Sequence, residues 1–456
     1  MSPRVPLPLY VLLLCGSAVV DGVRTGWMGR RGEGVSLSGT TRVLPRSNND
    51  EEPEDSSALL EVARGLGGLV TDDANFTSWP KMRGIVDDGE GANWMSVDAA
   101  VVYPRTLSQL TLPGTHDSGA YRLTHQLMPD PRFPTPWVAA AVALAERLHI
   151  PIDHVITPWA LTQSMDVGEQ LRAGYRYIDL RAGWNGSHWC AHHAEVGTLM
   201  RTIFRQVAKF MTEQPGEMMV VQVSHLDGFP TDEQIESLAK MVGEELRGML
   251  VPLPSRVDGS GSGSGPGLAV NLNRTVGEMV KSGERVLVTF GDGDYYARRA
   301  SSSSSSSSLP YPYSHLWPPW TLHNTYANTD DPDAMVHHNR EQVAAFCFES
   351  SEGVPGSLFK LSWTLTTQTR TVLESVLPSH PKSLRDLNDL GAPLLAPFVR
   401  DIIAMGCRAG NILSVDFALT SDAVKVARVM NAKIPSSLSN TVAHGRNTAV
   451  HIDSSS

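Results

Sequence analysis

The sequence has few cysteines, fewer basic than acidic side chains, and almost no long apolar run. Only 4 of its 456 residues are cysteine, so few disulfide bonds can form. Its 38 lysine and arginine side chains are outnumbered by 48 acidic ones, which gives a formal net charge of −10. This balance argues against nucleic acid as a partner and against strong electrostatic attachment to anionic membranes.

One apolar run occupies residues 5–14, after Arg4 and before a group of small residues. This is the layout of a cleaved secretory signal, and the run is too short for a comfortable membrane span. We therefore expect residues 1–22 to be a signal peptide and the protein to be secreted, either outside the cell or into the secretory lumen. No other stretch is apolar enough to cross a bilayer, and the polar ending HIDSSS offers no GPI-attachment tail.

The cysteines and the glycosylation sequons agree with a secretory route. If Cys15 leaves with the signal, three cysteines remain, which permits one bridge and one free thiol. We expect the bridge to join Cys347 and Cys407, because Cys190 lies inside an expected active-site strand. Short N-glycosylation sequons, which would make the protein a glycoprotein, begin at Asn75, Asn185 and Asn273.

Composition divides the remainder of the chain into three parts. Residues 23–101 are rich in Gly, Ser, Asp and Glu, and most of them cannot bury enough apolar surface to offset their ordering entropy. We expect a partly disordered acidic extension there, a single catalytic domain at 102–435 and a polar tail at 436–456. Low-complexity runs at 260–267 and 301–308 are expected to be flexible insertions.

Within residues 102–435, apolar strands alternate with amphipathic helices, which favours parallel strands joined by crossover helices. We expect an α/β fold, a distorted TIM-like (β/α) barrel. Strands are predicted at 174–182, 217–226, 285–291, 357–365 and 411–419. Helices are predicted at 198–213, from the capping box of Thr231 and Gln234 to near Leu250, and at 422–431. The Ala-rich segment 138–148 indicates a further helix, either part of the core or in contact with lipid.

Four short motifs place charged and imidazole side chains at the ends of expected strands. TLPGTHDSG breaks into a Pro-Gly turn and presents His116 beside Asp117. RYIDLRAG contains Asp179 and Arg181, WCAHHAEVG contains two adjacent histidines, and NILSVDFAL contains Asp416. In a parallel barrel, such side chains collect at the carboxyl ends of the strands, and the first and last strands are neighbours. Asp416 is therefore expected to reach His116.

These motifs resemble those of the X-domain family of phosphatidylinositol-specific phospholipases C (PI-PLC), and the bacterial-type, metal-independent branch more than the calcium-dependent one. The resemblance runs over roughly residues 107–431, with long insertions. It implies a phosphoric diester lyase that cleaves phosphatidylinositol, or a glycosylated form of it, to diacylglycerol and a cyclic inositol phosphate.

The resemblance also implies roles for individual residues. His116 would be the general base, Asp416 its orienting carboxylate, Arg181 the phosphate clamp and His193 the general acid. Asp117 would support His193 or the proton transfer to the leaving group. Imidazoles with pKa values near neutrality suit both proton transfers, each of which contributes about 10²–10⁴-fold. A guanidinium offers planar, permanently charged donors to phosphate oxygens.

Several positions have two interpretations. His192 and His193 point to opposite faces of a strand, and the family's glycine four residues after the catalytic histidine favours His193, with Gly197. Ala194 departs from the glycine that usually follows that histidine. His225 is expected at the inositol pocket or in a structural hydrogen bond, and Trp363 at the pocket or in the core. Asp179 is expected to contact substrate.

We expect no metal and no cofactor. The calcium-dependent relatives carry an asparagine after the first histidine and acidic residues on the second strand. Here Asp117 follows His116, and Arg181 occupies the later strand position. A permanent positive charge on that strand opposes a hard-cation site, which needs several oxygen ligands.

The expected partner is membrane phospholipid, met transiently by a monomer without a transmembrane span. Two other functions remain open. One is a phosphodiesterase for another phospholipid or a glycerophosphodiester, a reaction for which such barrels generally hold a metal with carboxylates. The other is a catalytically inactive inositide-binding module, since a fold does not guarantee a function.

Overall fold

The computed structural model describes residues 91–129, 135–253, 272–291, 295, 312–348, 357–375 and 377–433. All of them belong to Pro80–Ser456, one of two compact units of the chain. The expected signal peptide, residues 23–90 of the acidic extension, both low-complexity runs and the polar tail lie outside the described residues.

Ten strands of the described residues form one sheet. They are β1 (Leu112–Thr115), β2 (Tyr177–Trp184), β3 (Trp189–His193), β4 (Glu195–Leu199), β5 (Met219–Asp227), β6 (Val286–Phe290), β7 (Leu316–Trp317), β8 (Leu322–Thr325), β9 (Leu358–Trp363) and β10 (Ile412–Val415). Eight of them run parallel in the spatial order β7-β6-β5-β2-β1-β10-β9-β8. The α/β barrel expected from the sequence is confirmed, and β1 lies beside β10.

Helices separate most of these strands along the chain. In the described residues they are α1 (Trp94–Val97), α2 (Ala99–Val102), α3 (Pro136–Leu148), α4 (Asp153–Ala160), α5 (Val167–Arg172), α6 (Met200–Glu213), α7 (Asp232–Glu245), α8 (Val276–Ser282), α9 (Pro332–Phe348), α10 (Thr369–Glu374), α11 (Leu384–Gly391), α12 (Leu395–Ala404) and α13 (Ala423–Lys433). The capping box of Thr231 and Gln234 begins α7 as predicted. No helix of the described residues is long and apolar enough to span a bilayer.

The sheet curls into a barrel that backbone pairing does not close. Among the described residues no ladder joins β7 to β8, the two ends of the strand order. Apolar packing bridges the gap, because each of the eight parallel strands contributes one side chain to a single buried cluster. These are Leu112, Tyr177, Val220, Leu287, Trp317, Leu322, Leu358 and Ile412. Burying each such side chain contributes about 1.5–3 kcal/mol.

The strand with the paired histidines is not a parallel barrel strand. β3 runs antiparallel to β2, with Cys190 opposite Gly183, and antiparallel to β4. β2 itself continues past Arg181 to Trp184, so the expectation that Arg181 ends this strand is wrong. The pairing of β2 with β5 becomes irregular between Arg181 and Gly183, where β2 leaves the barrel to form the hairpin. Arg181 therefore lies where the barrel part of β2 ends.

Residues 91–101, which composition assigns to the acidic extension, pack against the barrel. Trp94 and Met95 are fully buried, and the Trp94 indole donates a hydrogen bond to the Gly174 carbonyl at 2.8 Å. Glu217 accepts the backbone N–H groups of Met95 and Ser96, and it forms a fully buried ion pair with Arg176 at 2.8 Å. Glu217 thus connects the segment to the residues just before β5.

The expected disulfide bond between Cys347 and Cys407 is confirmed. Cys347, in the last turn of α9, is bonded to Cys407, which follows α12. Cys190 is buried with a free thiol, and burial raises the pKa of that thiol to about 11. Such a thiol is almost wholly protonated near neutral pH, which makes it a poor nucleophile.

Candidate active site

The pairing of β1 with β10 places the first histidine beside the last aspartate. Thr115 lies opposite Val415, and the His116 backbone N–H donates to the Val415 carbonyl at 2.8 Å. The following side chains then meet, with His116 Nδ1 at 2.9 Å from Asp416 Oδ1. An ionised carboxylate only accepts, so Nδ1 carries the proton and the lone pair of the neutral imidazole is on Nε2.

Arg181 and Asp117 lie on the other side of His116. Arg181 Nη2 is 3.3 Å from His116 Nε2, and Arg181 Nε forms an ion pair with Asp117 Oδ1 at 2.5 Å. Asp117 is buried, whereas about a quarter of the Arg181 side chain is exposed. A guanidinium held at its base by a buried carboxylate and still open to solvent can bind an anion that enters the barrel mouth.

The structure brings His193, and not His192, to this cluster. His193 Nε2 is 3.6 Å from Asp117 Oδ2, and its Nδ1 donates to the Ala160 carbonyl at 2.8 Å. His192 faces the opposite side of β3, where its Nε2 lies 3.2 Å from Asp227 Oδ2. Asp117 thus lies between the two histidines, at 3.6 Å from each Nε2.

The buried residues beneath this cluster include a cation that was not predicted from the sequence. Asp179 is buried, and its Oδ2 is 3.4 Å from the ammonium of Lys360 on β9. Lys360 Nζ is also 3.4 Å from Gln222 Oε1. A lysine inside the apolar strand SLFKLSW was the available signal, because alternation puts Lys360 and Ser362 on the same face.

The same alternation places Trp363 on the face of β9 opposite Lys360, outside the barrel interior. Its indole donates to the Gly391 carbonyl at 3.0 Å, and its ring packs on Phe398 at 4.8 Å between centroids. Of the two positions expected for Trp363, the structure has the core, since the side chain lies on the outer face of β9, against α11 and α12. His225 is near enough for its charge to lower the pKa of Asp117, and its Nδ1 is 2.9 Å from the Ser224 hydroxyl.

The electrostatic environment differs between the two histidines. Burial alone lowers the pKa of His116, but the carboxylates of Asp117 and Asp416 outweigh it, so the pKa lies above its ordinary value. Burial lowers the pKa of His193 to about 4, and Asp117 only partly offsets that effect. In the free protein His193 is therefore neutral near pH 7, and His116 holds its proton more tightly than an ordinary histidine.

The two carboxylates also differ. Burial raises the pKa of Asp416, and His116 and Arg181 offset this only in part, so the pKa remains above its ordinary value. Burial acts in the same direction on Asp117, but the Arg181 guanidinium and the neighbouring histidines outweigh it and lower its pKa. Asp117 is therefore the permanently charged partner of Arg181.

Three of these groups could in principle approach a metal ion. Ligand atoms of His116, Asp117 and Asp179 lie within 4.8 Å of one another. Each is already engaged by a cationic side chain, since Arg181 contacts His116 and Asp117 and Lys360 contacts Asp179. A divalent cation would have to displace these positive charges, so the donor set fits a metal poorly.

The segment after α4 contacts the loops that follow β1 and β10 and was missed from the sequence. Gln163 donates to the carbonyl of His116 at 2.9 Å and to that of Val415 at 3.2 Å, and its own oxygen accepts the Ala418 N–H. The Thr162 hydroxyl donates to the Asp117 carbonyl at 2.9 Å. These bonds are to backbone groups, whose partners leave no motif in the sequence.

The sequence of this chain is similar to those of several known proteins. No family model matches. Human PI-PLC X domain-containing protein 1 is 23% identical over 353 residues, covering 75% of this chain and 93% of that protein. PI-PLC X domain-containing protein 3 from Bos taurus is 21% identical over 348 residues, with the same coverage. A PI-PLC X-box domain-containing protein from Dictyostelium discoideum is 27% identical over 157 residues, which are 34% of this chain and 19% of that protein.

The chain is also similar to solved structures. Phosphatidylinositol-specific phospholipase C from Listeria monocytogenes matches with 18% identity and a TM-score of 0.44, covering 74% of this chain and 98% of that one. A mutant of the corresponding Staphylococcus aureus protein matches with 15% identity and a TM-score of 0.47, covering 76% and 99%.

Proposed function

Since the chain belongs to the family of PI-PLC X-domain proteins, we propose that it cleaves phosphatidylinositol-type lipids, with or without a glycan on the head group, by an intramolecular phosphoryl transfer. The products would be diacylglycerol and a cyclic inositol phosphate. The observation that supports this most is the convergence of His116, Arg181 and His193 around Asp117 at the barrel mouth.

The base step uses the lone pair on His116 Nε2. This nitrogen takes the proton of the inositol 2-hydroxyl while that oxygen attacks the adjacent phosphorus and forms a new P–O bond. Asp416, bonded to Nδ1 at 2.9 Å, stabilises the imidazolium that results. The raised pKa of His116 suits this role, because a stronger base accepts the proton more readily once it is in its neutral form.

The leaving step uses Arg181 and His193. The guanidinium offsets the negative charge of the phosphate oxygens, and the P–O bond to the glycerol oxygen breaks as His193 supplies a proton to that oxygen. His193 is neutral in the free protein, with a pKa of about 4. A phosphate anion beside Nε2 would raise this pKa, so substrate binding itself would charge the acid.

The substrate would be reached through an apolar surface next to His193. The Trp137 ring on α3 lies 6.3 Å from the His193 ring. Helix α3 has no charged side chain from Pro136 to Ala145, although Ala139 and Ala143 are exposed. A helix that is apolar on all sides usually lies in a core or in lipid. We assign α3 to contact with the membrane surface, through apolar contact because the chain is net acidic.

Secretion of the protein, its cleaved signal and its monomeric state remain part of this proposal. The apolar run at 5–14 supports the signal and secretion, as do the sequons at Asn185 and Asn273, both of which lie in the described part of the chain. The Cys347–Cys407 bridge agrees with an oxidising compartment.

The proposal is tested by incubating the purified protein with a panel of labelled phospholipids in excess chelator. We expect release of diacylglycerol from inositol lipids alone, and none from a His116→Ala variant with an unchanged unfolding temperature. Cleavage of glycerophosphodiesters that requires added metal would favour the metal-dependent phosphodiesterase, for which His116, Asp117 and Asp179 are the available ligands. Inositide binding without any product would favour the inactive module.

A further inference from the structure

The hairpin that carries His193 is fastened to α4 at two points. His193 and Glu195 lie opposite each other across the β3–β4 turn, with Ala194 between them. The His193 Nδ1–H donates to the carbonyl of Ala160, the last residue of α4. The Thr157 hydroxyl, one turn earlier on α4, donates to the Glu195 carboxylate at 2.8 and 3.0 Å from its two oxygens.

The second contact is directional and is buried at its Glu195 end. Glu195 is 1% exposed, so its carboxylate needs donors within the protein. Thr157 has one hydroxyl proton, which goes to Glu195, and its oxygen accepts from His125 Nδ1 at 3.0 Å. The hydrogen bonds therefore run from His125 through Thr157 to Glu195, and they fix the rotation of the last turn of α4 against the hairpin.

We propose that Thr157 and Glu195 are positioning residues for His193. They hold the Ala160 carbonyl at the distance at which it accepts the Nδ1–H, and this bond keeps Nε2 directed toward Asp117. The inference deepens the proposed function, on which it rests for the role of His193 as the proton donor to the leaving oxygen.

The geometry explains why such an anchor is needed. The Ala160 carbonyl is one of the last carbonyls of α4, which have no partner within the helix and can turn toward other donors. A neutral imidazole can carry its proton on either nitrogen, and in the described part of the chain the bond to Ala160 is the contact that selects Nδ1. If α4 rotates away, Nε2 no longer has a defined proton state or direction at the site where the leaving group would lie.

The test uses Thr157→Val, which has the same shape without the hydroxyl, and Thr157→Ser, which keeps the hydroxyl. The first readout is the ¹⁵N NMR spectrum of the histidines in the intact protein, with His193 assigned by comparison with His193→Gln. We expect a single Nδ1–H tautomer in the wild-type protein and in Thr157→Ser, and a mixture of tautomers in Thr157→Val. An unchanged tautomer in Thr157→Val would overturn the proposal, whether or not the protein is an enzyme.

The second readout is the rate on two inositol phosphodiesters with different leaving groups. With an alkoxide leaving group, which needs a proton, we expect Thr157→Val to lower kcat about tenfold with little change in KM. With a phenolate of low pKa, which needs none, kcat should match the wild-type value. Equal losses on both substrates would indicate a purely structural role and would contradict the inference.

Two outcomes change the design of the test: a wild-type protein without activity and a Thr157→Val variant that does not fold. If the wild-type protein cleaves neither phosphodiester, the proposed function fails, and the NMR comparison alone still decides whether Thr157 positions His193. If Thr157→Val does not fold, Glu195→Met replaces it, because it keeps nearly the size of the side chain and removes both oxygens that accept the Thr157 hydroxyl. The same tautomer mixture is then expected, and a single Nδ1–H tautomer would refute the proposal.

Discussion

Replacing Asp416 by asparagine tests the pairing of the first and last strands of the barrel. Asp416 is 1% exposed, and its Oδ1 is 2.9 Å from His116 Nδ1. The amide has nearly the shape of the carboxylate but no charge, so the fold should persist. The variant loses the charge that stabilises the His116 imidazolium formed when the base takes a proton.

The size of the effect follows from that one bond. A hydrogen bond to a charged group contributes about 1.5–3 kcal/mol, which corresponds to roughly 10- to 100-fold in rate. An amide that turns its NH₂ toward Nδ1 would stabilise the other tautomer, remove the lone pair from Nε2 and enlarge the loss. We therefore expect kcat/KM to fall by at least about tenfold.

The variant should also change the pH dependence in a defined direction. Asp416 is one of the groups that raise the pKa of His116, so its removal lowers that pKa. The base is active when neutral, and the acid limb of kcat/KM should accordingly move to lower pH in Asp416→Asn. The control is Asp401→Asn, which removes an exposed carboxylate paired with Arg340. Equal rate losses in the two variants, or an acid limb that does not move, would refute the reasoning.

Three further outcomes are expected. Ala194 has a φ of +58°, a left-handed conformation that costs a non-glycine residue about 1–2 kcal/mol. Ala194→Gly should therefore raise the denaturant midpoint, although the greater flexibility of glycine in the unfolded chain offsets about 0.4–1 kcal/mol of the gain. A lower midpoint would contradict the strain. Glu217→Gln leaves Arg176 buried without a counter-charge, so it should lower the free energy of unfolding, measured by calorimetry, by about 3–5 kcal/mol. An unchanged melting temperature would contradict this role of the ion pair. Activity should survive excess chelator, whereas complete loss that calcium restores would overturn the expectation of metal independence.

The parts of the fold that follow from periodicity and topology could be predicted from the sequence. The apolar strands and amphipathic helices indicate the parallel barrel, and a barrel makes the first and last strands neighbours. That rule, together with the strand register, brings His116 to Asp416 across 300 positions of sequence. The glycine spacing after His193 selected the histidine that faces Asp117.

Other features were available in the sequence but were interpreted wrongly or overlooked. The pair Asn185-Gly186 is a turn signal, since Gly186 has a positive φ and Asn185 Oδ1 accepts the backbone N–H groups of Ser187 and His188. It explains why β3 returns antiparallel along β2. Alternation along β9 places Trp363 on the face opposite Lys360, so a substrate role for Trp363 was inconsistent with a barrel interior that contains the lysine.

The scaffold behind the two histidines could not be predicted from the sequence. Ala160 acts through its own backbone carbonyl, and the side chain of Gln163 bonds to backbone groups of other residues. Thr157 and Glu195 are 38 residues apart and meet only because α4 packs against the hairpin. No periodicity or motif encodes such contacts, since they depend on tertiary placement.

The most direct test of the account follows the phosphorus of a short-chain phosphatidylinositol by ³¹P NMR during turnover in excess chelator. The arrangement of His116, Arg181 and His193 predicts that the first water-soluble product is a five-membered cyclic inositol phosphate, and that His116→Ala forms none. A linear inositol phosphate as the first product, or phosphatidate, would contradict attack by the inositol hydroxyl and with it the roles assigned to these residues.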